Sequence, residues 1–275
     1  MDRYLNFESC SFFLESVDQQ IFQDFGRVFT AFDGSPSGSK VDDLNTGPVS
    51  DELARKLMYG RIMQQMSDSL CREGIKRGSV MHASGVELGH RAICFMGASG
   101  SGKTSMAIDM SRFGSYLGDE CAYLDIDSGE IWYEAFPLQI KAENTTLLAR
   151  FNKDEMIAAS MPNGREAVYC SLRKFALPDR RGRSSRSLGA VIFPLYDCAC
   201  SSVLVRPSDF RSLPYRILGS LAGDALPSIL LQRFFRMCSR KQIMILDLIY
   251  GNGSEAALAL NSYLSEVGFY GRAAN

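Results

Sequence analysis

Apolar positions come in short runs over the first 32 residues, where Phe12-Phe13-Leu14, Ile21-Phe22 and Val28-Phe29 stand between polar stretches. Runs this short read as strands or a small mixed element. Residues 33–40, Asp-Gly-Ser-Pro-Ser-Gly-Ser-Lys, have turn and linker composition. Little in the stretch up to Pro48 can be buried, which predicts a flexible linker at about 33–48. A helix is predicted over 51–72, because Leu53, Leu57, Ile62, Met63, Met66 and Leu70 fall near one face. Ser50 is its expected N-cap, with Glu52 close behind.

The pattern then changes period. Residues 78–98 supply two strands, the second ending in the apolar run Ala92-Ile-Cys-Phe-Met96. Short strands are expected at 116–117, 121–124 and, after the Asp127-Ser-Gly129 turn, 131–136. Residues 136–141 form another, ending in Lys141, and 190–195 read as a buried strand. Residues 179–187 form a basic polar loop, and the remainder reads as mainly helical, at 212–221, 226–237 and 254–267. Strands interleaved with helices predict an α/β fold, a mixed sheet flanked by helices with a helical C-terminal part. The expected organisation is an N-terminal accessory segment, 1–48, and a main domain, 49–275. No internal repeat is present.

Composition narrows the class. Of 275 residues, 46% are hydrophobic and 22% charged, enough for a sizeable core. A net charge of −1 offers no bulk electrostatic case for nucleic acid or anionic membrane as partner. No run of about 18 apolar residues predicts a membrane span. The N-terminus lacks a basic segment followed by an apolar one, so no secretion signal is expected and a cytoplasmic location is. The eight cysteines are scattered and expected to stay reduced; Cys198-Ala-Cys200 lacks the second pair a zinc site needs.

Candidate chemistry centres on residues 97–104, Gly-Ala-Ser-Gly-Ser-Gly-Lys-Thr, a complete G-x-x-x-x-G-K-[ST] P-loop. A chance match in a chain of this length and composition is roughly 1 in 100. A buried strand enters the loop, and Met106, Ala107, Met110 and Phe113 give the segment leaving it a helical pattern. Glycines let successive N–H groups turn inward around phosphate oxygens, and the helix N-terminus adds positive potential. Gly97, Ser99, Gly100, Ser101, Gly102, Lys103, Thr104 and Ser105 are therefore the expected nucleotide-binding residues. Lys103 is expected to reach the β- and γ-phosphates, and the Thr104 hydroxyl to hold Mg²⁺.

A P-loop alone does not name a reaction; the position of the acids discriminates. The helix after Lys103 is expected to stop at Gly114, and Tyr116-Leu117-Gly118 then return to the phosphate end of the sheet. That return brings Asp119 and Glu120 near the γ-phosphate. One carboxylate could accept a proton from an attacking hydroxyl, the other orient Mg²⁺ or its water. Their alternative is a charged strand end in water. Gln242-Ile-Met-Ile-Leu-Asp247 has the apolar-run-then-Asp form of a second metal-binding strand, which would suit an NTPase coupling hydrolysis to assembly or regulation. Among the basic-loop arginines, Arg183 is the candidate to close over transferring phosphoryl charge.

His82, fifteen residues before Gly97, followed by the P-loop and then Asp119-Glu120, resembles the bacterial HPr kinase/phosphorylase family. The match runs over about residues 81–124. The resemblance implies a phosphoenolpyruvate-carboxykinase-like architecture, an ATP- and Mg²⁺-dependent kinase, and transfer of the γ-phosphoryl group to a serine of a peptide or protein. It implies Asp119 as general base, His82 assisting, Lys103 on the phosphates, and Thr104 and Glu120 on the metal. The family forms oligomers, which leaves self-association open. Glu120 stands where the family usually has aspartate, and the family's E-[IV]-R-G-x-G segment has no counterpart. With these departures the chain is more similar to the divergent HPr-kinase-like proteins, among them the lasso-peptide kinases. A small-molecule kinase and a non-catalytic nucleotide-binding scaffold are the remaining alternatives.

Overall fold

The computed structural model describes residues 4–6, 11–17, 19–29, 32–33, 41–47, 51–133, 136–172, 185–223 and 225–270. The chain divides into two compact units, Met1–Gly74 with Glu134–Lys174, and Ile75–Tyr133 with Phe175–Asn275. The sequence draws one boundary near residue 48; the units instead part at 74/75, 133/134 and 174/175. Residues 134–174 return to the first unit because their apolar side chains complete its core. Phe136, Ile157, Ala159, Met161, Ala167 and Tyr169 cluster with Phe25, Phe29, Tyr59, Ile62, Met63 and Met66.

In the first unit a four-stranded sheet runs in the order Phe32–Asp33, Tyr4–Asn6, Ser11–Val17, Val41–Gly47. The last of these lies within the stretch expected to be linker, and it pairs in parallel with Ser11–Val17. A three-stranded sheet has the order Leu138–Lys141, Glu166–Cys170, Met156–Ser160. The predicted helix is present as Glu52–Arg77. Its cap is Asp51, whose carboxylate accepts from the Ala54 N–H at 2.8 Å. Ser50 lies outside the described residues. A Cβ at Gly60 would collide with the Ser160 carbonyl, so glycine lets this helix lie directly on the strand Met156–Ser160. Asp24 is buried here and satisfied by Tyr59, Arg27 and Gln20.

In the second unit a nine-stranded mixed sheet has helices on both faces. Its main path is Leu204–Pro207, Met244–Tyr250, Arg186–Tyr196, Arg91–Met96, Ser79–Leu88, Cys121–Asp125 and Glu130–Tyr133. Ser115–Gly118 and Leu221–Gly223 also pair with Ser79–Leu88. Arg91–Met96, Arg186–Tyr196 and Met244–Tyr250 are mutually parallel, whereas Ser79–Leu88 is antiparallel to Arg91–Met96. The C-terminal part, expected to be mainly helical, thus supplies strands as well. Seven residues between helices, six of them apolar, do not reveal their own period.

Alternation sorts the side chains onto two faces. Met81, Ala83, Ala92, Cys94, Met96, Val191 and Phe193 pack with residues of the helices Leu213–Leu218 and Pro227–Lys241. Their neighbours in the strands face the other way, toward the helix Lys103–Met110, which packs against Gly253–Glu266. His82, Ser84, Tyr196 and Tyr250 belong by this alternation to the face that carries Lys103–Met110. No helix among the described residues is long and apolar enough to cross a membrane.

Candidate functional site

Strand, glycine loop and helix follow one another as the pattern predicts: Arg91–Met96, residues 97–102, Lys103–Met110. Gly97, Gly100 and Gly102 have φ of 144°, 84° and 99°, which side-chain-bearing residues rarely adopt. Gly102 is needed twice over, because a Cβ there would also run into the Tyr250 hydroxyl. Ser99 and Gly100 are exposed, and Ser105 is half-buried. The Ser101 hydroxyl oxygen is buried without a hydrogen-bond partner. Lys103 is only 8% exposed, and its ammonium donates to the Gly97 and Ala98 carbonyls at 2.9 and 3.2 Å.

The two acids sit where the chain breaks its own ladder. Ser115–Gly118 pairs with residues 85–87 of Ser79–Leu88, and Cys121–Asp125 pairs with residues 79–82 of the same strand. Asp119 and Glu120 form the join. In a regular strand consecutive side chains would point to opposite faces. Glu120 has φ 67°, a left-handed conformation for a non-glycine residue, and the Cys121 N–H turns back to the Asp119 carbonyl at 2.8 Å. The kink sends both carboxylates to the glycine-loop face.

Their surroundings differ. Asp119 is 3% exposed; one carboxylate oxygen accepts from the Ser84 hydroxyl and the other from the Thr104 hydroxyl at 2.8 Å. Glu120 remains partly exposed, and its Oε2 lies 3.2 Å from Nδ1 of the half-exposed His82. Burial, then the Lys103 ammonium, lower the His82 pKa against an opposing pull from Asp119, which favours the neutral ring. Tyr116, three residues before Asp119, has its hydroxyl buried and unpartnered. Burial first, then the charges of Asp119 and Glu120, hold its pKa well above that of a free phenol, so it stays a neutral donor.

The structure therefore brings together His82, Lys103, Thr104, Asp119 and Glu120 around the loop. Arg183 lies outside the described residues. The described end of the basic loop, Arg186, is ion-paired with Glu87 at 2.5 Å. Asp247 is a different case. Its carboxylate accepts from Ser208 at 2.6 Å and Arg216 at 2.7 Å, and by alternation it faces away from Lys103–Met110. Arg216 also stacks over Phe193, 3.8 Å from the ring centroid. That arrangement braces an edge strand. Cys198 is exposed, and the Cys200 thiol donates to the Ser202 carbonyl at 2.8 Å. Burial pushes the Cys94 thiol, on the strand entering the loop, up to about 12, an inert core group.

The chain matches no family model and no curated protein sequence.

Three residues of this site escape the sequence pattern. Ser84 gives no spacing signal beyond lying two positions after His82, on the same strand face. Tyr116 reads only as a strand residue. Tyr196 ends a buried run, and its backbone N–H donates to the Ser101 carbonyl at 3.3 Å, tying the neighbouring strand to the loop.

Proposed function

We propose that this chain is a Mg²⁺-dependent, HPr-kinase-like P-loop kinase that transfers the γ-phosphoryl group of ATP to a hydroxyl, a serine of a peptide or protein. The observation that carries the reading is the contact between Thr104 and Asp119 at the mouth of a glycine loop that Lys103 underlies. A helix-opening hydroxyl paired with a buried carboxylate is the donor set for a hard divalent ion that keeps most of its other ligands as water and phosphate. The unpartnered Ser101 hydroxyl and the left-handed glycines fit a phosphate chain in the same loop.

Mg²⁺, when bound, neutralises charge that develops on the transferring group. The residues of the chain divide the remaining work. Lys103 binds and orients the phosphates. Thr104 and Asp119 would hold the metal, with Ser84 fixing the carboxylate. Glu120, steadied by His82 and partly exposed, is the group an acceptor hydroxyl can reach, and it takes the proton as the oxygen–phosphorus bond forms and the bond between the γ-phosphorus and the departing ADP oxygen breaks. The family resemblance implies the base at Asp119 and the metal side at Glu120; the engagement of both Asp119 oxygens favours the reverse.

The test is transfer from γ-labelled ATP with Mg²⁺ into an extract of the source cells, comparing wild type with Asp119→Asn. The expected result is label on a peptide or protein with wild type alone. Free phosphate released equally by both proteins contradicts the proposal.

A further inference from the structure

The acids lie to one side of the loop, and an unlike surface lies to the other. Arg186–Tyr196 is the parallel neighbour of Arg91–Met96 on the side away from Ser79–Leu88, and it ends beside the loop. Its last residue, Tyr196, is 51% exposed, and its Cβ lies 3.7 Å from where a side chain on Gly102 would begin. The ring is held in place. It packs edge-to-face on the buried Tyr250 at a centroid distance of 5.7 Å, and the Tyr250 hydroxyl donates to the Gly102 carbonyl at 3.5 Å. The turn that follows is pinned as well. The Asp197 N–H donates to the Tyr250 carbonyl, and the Asp197 carbonyl and carboxylate accept from Cys200 and Ala199 at 2.9 Å each. A large aromatic ring fixed by its neighbours beside the loop, and open on one side, offers a flat face on which a planar group can rest.

Direction along the loop says what that is. A triphosphate with its terminal group at Lys103, Thr104 and Asp119 has its other end away from the acids, on the flank where Tyr196 stands. We infer that Tyr196 is the shelf for a nucleobase, so that the phosphoryl donor is a nucleoside triphosphate and not an inorganic polyphosphate. The inference rests on the proposed phosphate-binding role of the loop and adds the residue that meets the donor's base. Stacking on an aromatic ring tolerates any base, because every base presents a π-face. Tyr196 therefore selects for the presence of a base and does not choose among bases.

The test compares Mg²⁺–ATP with Mg²⁺–tripolyphosphate as titrants, using wild type, Tyr196→Ala and Tyr196→Phe. The expected result for Tyr196→Ala is a loss of about tenfold in ATP affinity with tripolyphosphate affinity unchanged. Tyr196→Phe keeps both. Unchanged tripolyphosphate binding also certifies that the alanine variant is folded. Equal losses for both titrants, or no loss for ATP, overturn the inference. Wild type binding neither titrant overturns the proposed function itself, and this inference with it.

Discussion

The strand Arg91–Met96 has two unlike neighbours. Ser79–Leu88 runs antiparallel to it and brings a hydroxyl and an imidazole from mid-strand, Ser84 and His82, alongside the loop. Arg186–Tyr196 runs parallel and brings its carboxyl end, with an aromatic ring. Parallel strands end together, so their last residues and following turns gather around a ligand. An antiparallel strand passes the same point in its middle, where it offers only alternate side chains of a buried ladder. The acid flank therefore has to be completed by a second strand that kinks. Asp119 and Glu120 supply that kink through one left-handed residue. The aromatic flank is assembled without strain, from ordinary strand ends.

The sharpest way to break this comparison is to neutralise the two acids separately. Asp119→Asn and Glu120→Gln are both expected to slow phosphoryl transfer by about 100- to 1000-fold, the range for losing a positioned proton acceptor or a metal ligand. They should differ in binding: Asp119→Asn abolishes the Mg²⁺ dependence of ATP affinity, whereas Glu120→Gln retains it. Titrations with and without Mg²⁺ read the difference, and retained Mg²⁺ dependence in Asp119→Asn returns that carboxylate to the role of base. Next in size is the loss of about tenfold in ATP affinity for Tyr196→Ala, which belongs to the aromatic flank alone.

The smallest effect has an unusual sign. Glu120→Gly relieves a left-handed conformation that costs a side-chain-bearing residue about 1–2 kcal/mol. The half-exposed contact with His82 that it removes contributes less. The variant should unfold at a higher urea concentration than wild type while transferring more slowly. Lower stability would mean that the kink is held by Glu120 and is not strained by it.

How far these features can be read from the chain depends on their range. The strand–loop–helix unit is legible because its signal is local: an apolar run, a fixed glycine spacing and a helical period within about 25 residues. The approach of Asp119 to Thr104 is legible at one remove, from a short helix and a chain with nowhere else to return, although the helix ends at Met110 with Ser111 as its C-cap, before the expected stop at Gly114. The proposed division of labour between the acids is not, because nothing in an Asp-Glu pair announces a left-handed glutamate. Ser84 is hidden for a simpler reason, since a serine in an apolar strand gives no hint of its partner. The place of Met244–Tyr250 beside Arg186–Tyr196 and the return of residues 134–174 to the first unit are decided by contacts between distant segments, which periodicity does not encode.

The central claim is that the loop between these flanks holds a nucleotide, and calorimetric titration of ATP into the wild-type chain tests it most directly. Saturable binding to one site, tightened by Mg²⁺ and lost in Lys103→Ala, is the predicted result. Absence of binding at millimolar ATP, or binding that Lys103→Ala leaves unchanged, contradicts it.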